Sequence, residues 1–230
     1  VITMLASPEA LAEVATGDEG IASGIDSGTT LIEMSTVGPA AVARIAEGMP
    51  DGVEVVDAPV LGSVPEAEKG TLKVFVGSSD ATFERLRDLL SAVGEPFHIG
   101  PPGSGAAMKL VVNSTLGALQ LAFAEAMKLA DALGLDPSKA LDVLEGSAIG
   151  GTVRKKREKL ESGVFEPNFK LALAAKDLRL VIDAARANGI ELPGVEAALA
   201  AFEAADNAGL GDLDYSAVVA FLTGREARGK

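Results

Sequence analysis

Hydrophobic and polar positions divide the chain into two regimes. In residues 1–102, short apolar runs alternate with stretches of helical period, and the runs at 1–5, 30–34, 53–57, 71–76 and, more weakly, 96–99 read as strands. Between them, Ser7-Pro8-Glu9 sets up a helix with a serine cap and proline at its first position, and Gly38-Pro39 opens another that ends near Gly48. Ser79 and Asp80 cap a third helix, whose Phe83, Leu86, Leu89, Leu90 and Val93 share one side. Strands alternating with helices of this length predict a mostly parallel sheet covered on both faces.

After Gly100-Pro-Pro-Gly103 the strand pattern stops and alanine and leucine take over. Ser104 is the expected N-cap of a long helix reaching Leu133 and closed by Gly134. Asp136-Pro137 restarts a helix, Thr152 is expected to cap another, and Asn168 the one that carries Lys176 and stops at Gly189. Pro193 precedes a helix reaching Asn207, and Asp214 starts the last. The organisation is therefore an α/β part, residues 1–102, then an all-helical part, residues 103–230, with the long helix as the joint.

Composition narrows the chemistry. The 230 residues are 48% hydrophobic with a formal charge of −13, which describes a well-cored acidic chain. Phosphate contacts need an excess of Lys and Arg, so nucleic acid is not the expected partner. With no cysteine, disulfides and thiolate metal sites drop out, and a single histidine argues against a zinc site or a Ser-His-Asp triad. Lys, Asp, Glu, Ser, Thr or a bound cofactor must carry any reaction. The most apolar run, residues 110–124, contains Asn113 and Gln120 and reads as too short to span a membrane, so a cytoplasmic location is the expectation.

Lys109 and Asn113 stand four residues apart at the start of the long helix, on one face, among Met108, Leu110, Val111 and Val112. A cation near a helix N-terminus is mildly disfavoured, and partial burial would lower its pKa, as a proton donor near neutral pH requires. A lysine reaching from a surface helix to solvent is the plainer alternative. Ser35-Thr36 ends the second strand, where ligands bind in open α/β sheets, although both hydroxyls could simply cap the next helix. Asp57-Ala-Pro-Val-Leu-Gly-Ser63 ends the third strand and leads into a polar loop, and backbone N–H groups around Gly62 and Ser63 could hold a carboxylate. Taken alone, Lys176-Asp177 reads as an exposed pair, the basic run Arg154-Lys-Lys-Arg157 with Lys159 as a solvated helix face, and His98 as a strand-end residue without a chemical role.

In order along the chain, Ile32-Glu-Met-Ser-Thr-Val37, Asp57-Ala-Pro-Val-Leu-Gly-Ser63, Gly103-Ser-Gly-Ala-Ala-Met-Lys109 with Asn113, Phe169 with Lys176-Asp-Leu178, and Gly209-Leu-Gly-Asp-Leu-Asp-Tyr-Ser-Ala217 resemble the β-hydroxyacid dehydrogenase family, especially its glyoxylate/succinic semialdehyde reductase branch. Each motif is weak alone; the ordered set is specific. The resemblance implies a Rossmann-type domain followed by an all-α domain, with NAD or NADP as cofactor and the branch pointing to NADP. It implies Lys109 as the catalytic lysine and Asn113 as its substrate-orienting neighbour. Leu61, Gly62, Ser63 and Phe169 would lie at a small carboxylate-bearing substrate, and Leu5, Thr36 and Lys176 at the cofactor. It also implies a homodimer or homotetramer built through the helical domain, with neither nucleic acid nor membrane as partner.

Two departures stand out. The family has serine where this chain has Leu61, which removes a side-chain hydroxyl. It also opens with a strand and a glycine-rich phosphate-binding turn, whereas Val1 already reads as a later strand, so about 60 residues (two βα units) are expected upstream. A 6-phosphogluconate-type oxidative decarboxylase shares a similar glycine-lysine-asparagine helix start and is the enzymatic alternative. A helical oligomerisation module without a cofactor half is the non-enzymatic one.

Overall fold

The computed structural model describes residues 1–230, which divide into two compact units, Val1–Val112 and Asn113–Lys230. In the first unit the elements run β1 (Ile2–Thr3), α1 (Pro8–Thr16), β2 (Thr30–Glu33), α2 (Pro39–Gly48), β3 (Glu54–Asp57), β4 (Val60–Leu61), α3 (Val64–Glu68), β5 (Leu72–Gly77), α4 (Asp80–Ser91) and β6 (Gly94–Gly100). Strands β1, β2 and β3 pair in parallel, and β5 pairs in parallel with β6. The pairings of β5 with β3 and β4 are antiparallel, a reversal that the alternation of strands and helices did not predict. The chain turns back after Leu61, and α3 is too short to carry it over the sheet as a parallel crossover needs.

Side chains alternate across the sheet with a period of two, and both faces are buried. Ile32 and Val56 pack with Phe83, Leu86 and Leu90 of α4, whereas Leu31 and Val55 pack on the opposite face with Leu11, Ala41, Val42 and Ile45 of α1 and α2. Leu89, expected on the buried side of α4, is 52% exposed, because it lies one position off the Phe83–Leu86–Leu90 stripe. The polar loop expected at 65–70 contains α3. Ser63 and Glu66 cap it reciprocally, and such a box satisfies two backbone donors locally.

The helix α5 (Ser104–Ala132) begins in the first unit and continues into the second, which then contains α6 (Pro137–Leu144), α7 (Gly150–Ser162), α8 (Leu171–Ala187), α9 (Pro193–Ala205) and α10 (Ala217–Thr223). By length and apolar composition alone α5 could cross a bilayer, which corrects the expectation that its apolar run is too short. Its Phe123, Ala124 and Met127 are fully buried, as in the core helix of a globular domain. Three expected caps lie elsewhere: Thr152 falls inside α7, Asn168 precedes α8 by three residues, and Asp214 precedes α10 by three. Asp214 and Asn168 are instead joined to each other, the carboxylate accepting from the Asn168 N–H at 3.2 Å.

Candidate active site

The first turn of α5 is fixed by a residue far away in sequence. Gly103 and Ala106 donate their N–H groups to the two carboxylate oxygens of Asp57, each at 2.7 Å. Asp57 ends β3 and is fully buried. Burial pushes its carboxyl above the usual carboxylate range, while the N–H groups of Gly103 and Ala106 pull it down in part. Ser104, the expected cap, leaves its hydroxyl buried without a hydrogen-bond partner. Two glycines make the approach possible. A Cβ on Gly105 would fall inside van der Waals distance of the Phe75 carbonyl oxygen, and one on Gly77 would strike the Asp57 carboxylate. Lys109 follows Ala106 by three residues, about one helical turn, and its side chain is half-buried.

One further turn along α5, in the second unit, Asn113 is buried and donates from Nδ2 to Asp177 Oδ2 at 2.7 Å. A carboxylate only accepts, so the amide NH2 must face it, and this fixes which way the Asn113 amide points. The other oxygen of Asp177 lies 2.8 Å from Lys176 Nζ, on the same helix α8. Asp177 is buried, at 6% side-chain exposure, and Lys176 partly so, at 19%, so the pair is not simply exposed. Sequence reasoning assigned no role to Asp177. The signal available was a charged residue inside a helix whose other positions are mainly Ala and Leu.

Phe169 lies on the segment leading into α8, clasped to the segment ahead of α10. Tyr215 N–H donates to the Phe169 carbonyl at 2.9 Å, Leu171 N–H to that of Leu213 at 2.8 Å, and the Phe169 and Tyr215 rings stand 5.7 Å apart. Beneath them is a buried charge cluster. Lys156 Nζ donates to Asp214 Oδ1 at 2.8 Å and sits 4.1 Å from the Tyr215 ring centroid, and Ser216 donates to the same oxygen through its N–H and its hydroxyl. Burial raises the Asp214 carboxyl, but Lys156 and Ser216 together outweigh it and hold the group below the usual range. Burial lowers the Lys156 ammonium, and Asp214 restores it only in part. The basic run is therefore not a solvated face throughout. Lys156 is in the core, and Arg157 contacts Asp142, Glu145 and Glu161 at 2.6–2.9 Å.

At the carboxyl ends of β1 and β2 the Leu5 N–H donates to Ser35 Oγ at 2.7 Å, bringing the two chain segments together beside Thr36. Glu33 lies underneath, accepting from the Thr3 hydroxyl and, at 2.5 Å, from Ser35 N–H. Leu5, Ser35 and Thr36 thus form one polar edge off the ends of parallel strands, the position at which such sheets take a dinucleotide. Donor and acceptor groups at such an edge are compatible with a dinucleotide. The turn that would cradle its pyrophosphate, G-x-G-x-x-G, does not occur between β1 and α1. Leu61 and Gly62 are exposed, and Gly62 has φ +139, a conformation that favours glycine. The Ser63 N–H, expected as a free anion donor, is held by Glu66 Oε2 at 2.8 Å.

Two family models account for nearly the whole chain. The NAD-binding domain of 6-phosphogluconate dehydrogenase matches residues 1–103, and the NAD-binding domain of NADP-dependent 3-hydroxyisobutyrate dehydrogenase matches residues 103–222. Over 223 residues the chain is 34% identical to 2-(hydroxymethyl)glutarate dehydrogenase of Eubacterium barkeri, covering 95% of this chain and 74% of that protein. It is 35% identical over 221 residues to glyoxylate/succinic semialdehyde reductase 1 of Arabidopsis thaliana, covering 95% and 76%. The solved structure of Mycobacterium tuberculosis 3-hydroxyisobutyrate dehydrogenase with L-serine superposes with a TM-score of 0.83 at 32% identity, over 96% of this chain and 78% of that one. Fold and similarity together define an NAD(P)-dependent oxidoreductase, a largely parallel dinucleotide-binding sheet followed by a helical domain. Within that class, the chain belongs to the β-hydroxyacid dehydrogenase family.

Proposed function

We propose that the chain interconverts a small β-hydroxyacid and its semialdehyde or keto form, with Lys109 as the general acid and base. The observation that carries this is the fixed start of α5, which presents Lys109 and, one turn on, an Asn113 whose amide is oriented by Asp177. The nicotinamide cofactor supplies or accepts the hydride when bound. In the reducing direction Lys109 donates a hydrogen bond to the substrate carbonyl oxygen and then a proton to the alkoxide that forms there. Asn113 orients that oxygen, and Lys176 and Phe169 line the same region of the helical unit. Gly62 and Ser63 receive the substrate carboxylate, which would compete with Glu66 for the Ser63 N–H. Leu61 adds apolar surface where the family carries a hydroxyl, favouring a substrate with an apolar group at that point. Thr36 and Leu5 contact the nicotinamide end of NAD or NADP.

A functional division at 102/103 is supported by the two family matches that meet at residue 103, whereas the compact units divide at 112/113, nine residues into α5. Assembly as a homodimer or homotetramer is supported by the apolar stripe that α5 leaves exposed. Val111 and Leu129 are about as open as surface residues, at 61% and 60%, and Leu119 continues the stripe between them. The deciding experiment is Lys109→Ala, assayed with a panel of small β-hydroxyacids and semialdehydes and both cofactors. Turnover should fall by at least 10²-fold with cofactor affinity unchanged. Near-normal turnover in a variant that still binds cofactor would remove Lys109 from the mechanism.

A further inference from the structure

We infer that Asp57 is the positioning residue for Lys109, a tertiary cap that fixes where the start of α5 lies on the sheet; this rests on the role proposed for Lys109. The first four N–H groups of a helix have no partner within it, and a serine, threonine or aspartate just ahead of the helix ordinarily accepts one or two of them. Here Gly103 at that position has no side chain to offer, and the Ser104 hydroxyl makes no such bond. The acceptor comes instead from the end of β3, 46 and 49 residues earlier, and it uses both oxygens. The carboxylate meets the positive end of the helix dipole, which favours its charge.

The seat leaves little slack. Gly105 lies against the Phe75 carbonyl so closely that no side chain fits, and Gly77 leaves the space that the Asp57 carboxylate fills. The two hydrogen bonds fix the axial position and rotation of the first turn, and the two glycines fix its height above the sheet. From Ala106 a single turn of helix leads to Lys109, so an error at Asp57 passes directly to the reacting nitrogen. Misplacing a catalytic group by about 1 Å can cost 10²-fold in rate.

The test is a kinetic cycle in the holoenzyme with Asp57→Asn, Lys109→Ala and the double variant, with Gly105→Ala as an independent way of lifting the helix. Asp57→Asn keeps the side-chain shape while placing an NH2 against one of the two helix N–H groups. It should lower kcat about 10- to 100-fold while cofactor Kd stays within a few-fold. In the Lys109→Ala background the same change should cost almost nothing more, since residues acting as a unit are not additive. Gly105→Ala should lower kcat in the same way. Wild-type kcat in folded Asp57→Asn, or an undiminished loss on top of Lys109→Ala, would overturn the inference. If Asp57→Asn does not fold, wild-type kcat in folded Gly105→Ala would overturn it. Failure of Lys109→Ala to reduce turnover would be a separate result, removing the role of Lys109 itself.

Discussion

The buried pair Lys156–Asp214 gives the sharpest prediction about what holds the helical unit together. Asp214 has no exposed surface and accepts four hydrogen bonds: from Lys156 at 2.8 Å, from the Ser216 hydroxyl at 2.6 Å and N–H at 3.1 Å, and from Asn168 N–H at 3.2 Å. Lys156 is almost as enclosed, with 7% of its side chain exposed. Asp214→Asn therefore leaves a buried ammonium without a counter-charge, which typically costs about 3–5 kcal/mol. At about 3–6 °C per kcal/mol for a domain of this size, the midpoint should fall by about 9–30 °C in thermal unfolding followed by circular dichroism. Lys156→Met in the same background removes the stranded charge and should restore much of the loss, because a neutral, well-packed replacement for a buried pair is often close to neutral in stability. A single substitution costing less than about 1 kcal/mol, or additive costs in the double variant, would refute the assignment of this pair as a coupled unit. The pH dependence has a definite sign. The folded Asp214 carboxyl lies below its unfolded value near 3.9, so its stabilisation is present above about pH 4 and is lost as pH falls through the folded value. The gap between wild type and Asp214→Asn should therefore narrow in acid.

Tyr215 is the one tyrosine of a chain without tryptophan, so phenolate absorbance reports it alone. Burial, and then the nearby Asp214 carboxylate, push its pKa up to about 12 against an opposing contribution from Gln120; absorbance should show no phenolate step near pH 10 while the protein is folded, and a midpoint near 10 would show the ring to be solvated. A raised pKa means that its contribution to stability is present below the unfolded value near 10 and lost as pH rises through the folded one. Asp177→Ala removes the acceptor that orients the Asn113 amide. Turnover should fall about 10-fold or more with cofactor affinity retained, and wild-type kcat would show that Asn113 needs no such support.

Much of the order of elements was legible because it depends on local properties. Ser7 and Ser79 cap their helices by hydrogen bonds within four residues, and the alternation at Leu31–Ile32 and Val55–Val56 already marks strands buried on both faces. Two of the expected caps failed where a distant group entered. Asn168 is drawn to Asp214, and Ser104 is made redundant by Asp57. The direction of β5 was out of reach for the same reason, since a period of two does not reveal which way a strand runs.

The sequence by itself determined the two regimes and the family, and it marked Lys109 and Asn113 as candidates, because these rest on periodicity, spacing and an ordered set of motifs. Only the tertiary structure decided which charges are buried. Lys156 and Asp177 look like surface residues in the chain, yet each is desolvated beside a partner 58 or 64 residues away. A charge can enter a core only when something across the fold compensates it, and no local pattern records that compensation. Asp57 is the clearest instance. In the sequence it is the last residue of a strand, and only folding brings it under the helix that carries the lysine.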